Sequence, residues 1–185
     1  MFSGLYFERY KNRTLLLTHT ISFQPLGTAI RNDFWGDITI SHNGREIGHL
    51  NFITIVIKNT TRSDAEGPLT FEAWLDNRSQ FLGQSGFYDT GNSILSEQSF
   101  ADLYNQTLED VGEDTQLRQQ DENYITPADL SQRINYLFSN RKMTLPVFNR
   151  ETSVTLNFLV ENVAGQTPQI SMSILEKGIK RKLKI

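Results

Sequence analysis

Phe87-Tyr88-Asp89-Thr90-Gly91 is the stretch whose residue types come nearest to covalent chemistry. A carboxylate in an Asp-Thr-Gly turn can share one proton with a second such carboxylate, because adjacent like charges do not both ionise. The pair can then activate a water for peptide hydrolysis. This chain holds one copy, so Asp89 would need a second chain to supply its partner. The bland alternative is a β-turn, which Asp and Gly favour by themselves. No flap hairpin or second apolar-apolar-Gly strand follows; residues 92 to 141 read as helical and acidic.

Other reactive arrangements are missing. There is no cysteine, no G-x-S-x-G elbow, no G-x-x-x-x-G-K and no G-x-G-x-x-G, which removes thiolate chemistry and the usual serine, phosphate and dinucleotide motifs. His19, His42 and His49 show no H-x-x-x-H spacing and no neighbouring acid run, so no metal is expected. No cofactor is expected either. What remains is charge. Arg31, His42 and Arg45 cluster near one turn, and Lys180, Arg181 and Lys182 lie in a tail with five basic residues among its last nine. Either group suits an anionic small molecule. The tail first suits an edge strand guarded by lysines, with attraction to anionic lipid or to a nucleotide as the alternative.

The elements that must position these residues are mostly strands. Asn43-Gly44 accepts the positive φ angles of a two-residue hairpin turn, and alternating apolar runs flank it. Pairing across it sets Ile40 opposite Ile47 and Ile38 opposite His49. Ile53, Ile55 and Ile57 share a face, with Leu50, Phe52 and Val56 on the other. Either both faces are covered or a bulge near Gly48 shifts the parity. Further strands are expected at Thr14 to Phe23 (ending before Pro25), Leu69 to Trp74, Phe81 to Thr90, Met143 to Phe148, Ser153 to Glu161 and Gln169 to Leu175.

Two helices interrupt the strands. Ser96 is expected to cap one, with Phe100, Leu103, Tyr104, Leu108 and Val111 as its stripe and Gly112 as its stop. Thr126-Pro127-Ala128-Asp129 starts the other, burying Leu130, Ile134, Leu137 and Phe138. Glu109 to Glu122 between them reads as a mobile acidic loop. Trp35 and Trp74 are expected in the core, with a base-stacking platform as the alternative.

The chain has 185 residues, 38% of them hydrophobic, including 12 Phe, 6 Tyr and 2 Trp. That is ample for one domain over 1–185, with a helical and acidic insertion at about 91–141. A net charge of −3 and a pI of 5.6 speak against a nucleic-acid partner. Neither a signal peptide nor a run of about twenty apolar residues is visible. The class is mainly β: an antiparallel β-sandwich with a helical insertion, a partly closed β-barrel having the same two-residue rhythm.

The strings R-T-L-L-L-T, G-D-I-T-I-S-H-N-G-R-E-I-G-H-L-N-F-I-T-I-V-I-K-N-T, G-P-L-T-F and L-P-V-F-N-R-E-T-S-V-T-L-N-F-L-V-E resemble a class of bacterial hypothetical proteins. Its members carry an immunoglobulin-like β-sandwich beside membrane-spanning helices. The likeness covers about 14–75 and 143–179, and implies the sandwich fold and membrane association through flanking segments. Separately, Asp89-Thr90-Gly91 resembles the active-site loop of aspartic proteases.

The expected function is a non-enzymatic interaction module that binds a protein partner or its own copies, in the cytoplasm or at the inner face of a membrane. A ligand-sensing domain for an anionic small molecule is the second expectation, with Arg31, His42, Arg45, Lys180, Arg181 and Lys182 as its residues. An aspartic-protease-like enzyme acting through Asp89 is the third.

Overall fold

The computed structural model describes residues 17–31, 36–61, 64–65, 67–163, 166–176 and 179–183. The expected start of the first strand at Thr14, the start of the hairpin strand at Phe34, and Trp35 lie outside them. In chain order the strands are β1 (Leu17–Thr28), β2 (Ile40–His42), β3 (Arg45–Ile47), β4 (His49–Asn59), β5 (Leu69–Leu75), β6 (Ser79–Tyr88) and β7 (Leu95–Ser96). Helices α1 (Gln98–Gln120) and α2 (Ala128–Ser139) follow, and then β8 (Asn140–Leu145), β9 (Ser153–Asn162), β10 (Ile170–Glu176) and β11 (Ile179–Leu183).

The strands form two antiparallel sheets, ordered β1-β4-β9-β6 and β11-β10-β5-β8-β7, with β2-β3 as a separate hairpin. Among the described residues neither sheet closes into a barrel. This is the expected immunoglobulin-like sandwich architecture, which different strand orders can share. From β4 through β10, each successive sheet strand, β7 apart, lies in the sheet opposite the one before it.

Period-two alternation explains the packing. Ile53, Ile55 and Ile57 of β4 point inward beside Val154, Leu156, Phe158 and Val160 of β9. They meet Leu69, Phe71, Met143, Leu145, Met172 and Ile174 of the other sheet in one buried cluster. Asparagines end the inward rows. Asn51 Nδ2 donates to Asn162 Oδ1 at 2.7 Å, and Asn59 Nδ2 donates to the Phe148 carbonyl at 3.0 Å. Both amides are buried and bonded, as burial of a polar group requires.

Several expectations are corrected. β1 runs through Pro25, and its register against β4 shifts between Pro25 and Gly27. An edge strand with a bulge tolerates proline because its outer side owes no ladder bond. The Asn43-Gly44 turn forms with φ of 52° and 80°, and Ile40 pairs with Ile47. Ile38, however, bridges to Ile30, while His49 pairs with Thr28 of β1. The break at Gly48 ends the hairpin and lets β4 join a different sheet. Trp74 is half-buried on the outward phase of β5 and lies outside the core cluster.

Helix α1 starts one residue later than expected and runs eight residues past Gly112, to Gln120. Its cap is Glu97, whose carboxylate accepts from the amides of Ser99 (3.2 Å) and Phe100 (3.0 Å) and from Ser99 Oγ (2.6 Å). A helical glycine costs only about 1 kcal/mol, and ion pairs offset it. Arg118 Nε meets Asp114 Oδ2 at 2.9 Å, and Arg133 of α2 meets Asp110 at 2.6 Å. Residues 109–120 of the segment read as a mobile acidic loop are therefore helix, with Asp110 and Asp114 ion-paired. Thr126 does not cap α2; its hydroxyl donates to the buried Asp114 at 3.1 Å. Phe138, expected in the buried face of α2, is 42% exposed.

The helices cover the flank between β6 and β8. Arg141 of β8 stands on the inward phase and is 8% exposed. Its Nη1 donates to the carbonyls of Leu137 and of Asn140 (2.7 Å to Asn140), and its Nη2 donates to the Phe81 carbonyl at 3.1 Å. Its guanidinium carbon lies 5.0 Å from the Phe81 ring centroid. One cation thus ties the negative end of the α2 dipole to β6. Burial pushes its pKa down to about 10.

Two predictions follow from these contacts. A Cβ on Gly86 would lie 3.1 Å from Ile94 Cβ, 3.2 Å from Leu156 Cδ2 and 3.3 Å from Met143 Sδ. Gly86→Ala should cost about 1–2 kcal/mol in urea unfolding. Glu97→Ala should cost about 1 kcal/mol at neutral pH through the lost cap. The Ser99 hydroxyl foremost, and then the capped amides, hold Glu97 below its ordinary value of 4.5. Its contribution is therefore complete above that value and vanishes as pH falls through the lower folded-state value. Unfolding curves of both chains across acid pH check this.

Candidate functional site

A sandwich must do something with its sheet edges, since each presents unpaired backbone donors and acceptors. β6 is occupied: Ile94 N donates to the Gly86 carbonyl at 2.8 Å, Phe87 bridges Ser93, and Arg141 takes the Phe81 carbonyl. β7 is two residues long and runs into α1. β11 forms the edge strand expected of the tail, with Lys180, Arg181 and Lys182 in register with Leu175, Ile174 and Ser173. β1 differs. Its twelve residues carry no Asp, Glu, Lys or Arg, and among the described residues it pairs on one side only.

Apolar side chains gather at the far end of β1. Phe23, Leu26, Ile30 and Ile38 are each at least 40% exposed. Reciprocal backbone bonds of 3.0 and 2.8 Å hold Ile30 against Ile38. A groove of about 640 Å3 opens there, lined by Ile30, Ile38, Ile40 and Ile47 together with the charged Arg31, Asp37 and Glu46. The hairpin is seated closely, since a Cβ on Gly27 would stand 2.6 Å from Ile40 Cδ1. Thr28 and His49 hydrogen-bond across β1 and β4 beside it.

The expected basic residues are not gathered around one space. Of Arg31, His42 and Arg45, Arg31 lines the groove. His42 sits opposite Arg45 across the turn. Arg45 is ion-paired with Glu161 of β9, whose Oε2 also accepts from Gln80 at 2.8 Å. His19 lies on β1 opposite Ile57. Among the described residues no three His, Asp or Glu side chains cluster at metal-binding spacing.

Asp89 occupies an exposed turn after β6. Its Oδ2 accepts from the Ser153 amide at 3.0 Å, its own amide donates to the Ser153 carbonyl at 3.1 Å, and Gly91 takes φ of 85°. This carboxylate fastens the start of β9. Among the described residues no hydrogen bond joins it to a second carboxylate.

Sequence reading missed Arg141. Its signal was parity: it stands two and four positions before Met143 and Leu145, so an inward β8 carries it inward too.

No protein-family model and no curated protein matches the sequence. Among solved structures the chain is similar to the collagen-binding domain of a Staphylococcus aureus adhesin, at 10% identity and TM-score 0.36, over 72% of this chain and 81% of that one. It is similar to the collagen-binding domain of Erysipelothrix rhusiopathiae surface protein RspB, at 8% identity and TM-score 0.37, over 91% of this chain and 53% of that one. It is also similar to AvmM, which catalyses macrocyclization in alchivemycin A biosynthesis, at 8% identity and TM-score 0.31, over 75% and 80% of the two chains. Similarity at this level leaves function to be derived from the chain's own surface.

Asp89→Asn keeps an oxygen acceptor for the Ser153 amide, whereas Asp89→Ala removes it. Thermal melts should place the asparagine chain within about 0.5 kcal/mol of the parent and the alanine chain about 1 kcal/mol below it. Equal losses would show that the negative charge, not the acceptor, is what matters.

Proposed function

We propose that this chain is a non-enzymatic binding module whose β1 edge receives an extended segment of another protein as an added strand. The observation that carries it is the contrast among edges. Lysines and an arginine lie along β11, a hairpin bridge and Arg141 occupy β6, and β1 is left long and uncharged. Strand addition draws affinity from main-chain hydrogen bonds and specificity from pockets for alternate side chains. The groove at Ile30 and Ile38 supplies such a pocket beside the edge.

A partner's peptide fits better than a second copy of β1. The shift between Pro25 and Gly27 interrupts the ladder. Two identical strands would each bring that interruption, leaving only the stretch before it to pair. A flexible peptide can follow the bulge and reach the groove.

The test is selection of displayed extended peptides against the full chain, followed by amide exchange. Bound peptides should slow exchange along 17–24, and Phe23→Lys with Ile38→Lys should weaken them at least tenfold, about 1.4 kcal/mol. Binders that protect a different element, or that ignore the double substitution, overturn the proposal. So does a concentration-dependent dimer abolished by the same substitutions, which would make the occupant a second copy.

A further inference from the structure

A cavity of about 310 Å3 lies between α1, β6 and β8, with Arg141, Gln84, Phe100, Ala101, Tyr104 and Asn105 among its lining residues. The hydrogen bonds of Arg141 use both Nη1 protons and one Nη2 proton. Nε–H and the second Nη2–H have no acceptor among the described residues, and no carboxylate there forms an ion pair with Arg141. Carbonyl dipoles solvate this cation but do not neutralise it. A second group is also incomplete: Gln84 donates from Nε2 to Ser96 Oγ at 2.7 Å, while its Oε1 is buried without a partner.

These two deficits are complementary. A guanidinium with spare protons takes a carboxylate with charge-assisted bonds. An orphaned amide oxygen requires an O–H or N–H donor. Water can satisfy the oxygen but brings no charge to the arginine. Tyr104, which is 42% exposed, offers aromatic surface to a flat body, with the buried Phe100 as part of the lining. The volume, roughly ten waters' share of liquid, sets a small size limit.

We propose that this cavity binds a small aromatic carboxylate bearing a neighbouring hydroxyl or amino group, the carboxylate held by Arg141 and the donor by Gln84 Oε1. The site is independent of strand addition at β1 and would remain if that reading failed. Burial disfavours the charged form of Arg141, and a bound anion opposes that effect.

The experiment is calorimetric titration of the full chain with salicylate, mandelate and anthranilate, using their primary amides as controls. At least one acid should bind saturably, and its amide at least tenfold more weakly. Gln84→Leu should equalise salicylate and benzoate, and Ala101→Phe, by filling the cavity, should abolish binding in a chain that still melts cooperatively. Should Arg141→Met fail to fold, these two variants carry the test. The proposal falls if none of the three acids binds, if an amide binds as well as its acid, or if Ala101→Phe binds like the parent.

Discussion

A one-residue slip of β9 against β4 would turn Val154, Leu156, Phe158 and Val160 to the outward phase while Ile53, Ile55 and Ile57 stayed inward. That register is the constraint on which the rest is arranged. It makes β4-β9 the centre of one sheet, leaves β1 and β6 as its edges, and fixes which side chains meet Phe71 and Met143 across the sandwich. The buried asparagines at the row ends reinforce it, because a slipped register would part Asn51 from Asn162 and leave buried amides without acceptors.

The two flanks of the sandwich are treated differently. Between β6 and β8 the chain inserts two helices, and Arg141 joins the C-terminal carbonyl of Leu137 in α2 to a carbonyl of β6. Closing a flank with a cation rather than a leucine costs desolvation. It also leaves a polar cavity with charge to spare. At the opposite side of the same sheet, β1 is left plain. The features proposed as functional therefore arise where the alternating core stops.

Much of this was legible because strand information is local. The hairpin turn is written in Asn43-Gly44, and the inward rows are written in alternation. The errors share a cause in distance. Gly112 looks like a stop until Asp110 and Asp114 find Arg133, Arg118 and Thr126. Pro25 looks like an end until β1 is known to be an edge. The cavity needs residues from β6, α1 and β8 together, and no local pattern announces such a meeting. The groove at Ile30 and Ile38 failed to show for the same reason, since these residues meet through a bridge that the hairpin pattern assigned elsewhere.

The alternation of strands between sheets bears on how the chain can be made. Ile55 must wait for Leu156, and β5 for β8 and β10, before either sheet has its neighbours. Loop closure of that length precedes its reward, which slows assembly. During synthesis the isoleucine ribbon of β4 emerges well before β9, its second sheet partner. Among the described residues β1 is the sheet partner of β4 already made by then, and Leu69, Phe71 and Ala73 of β5 follow next to cover its inward face.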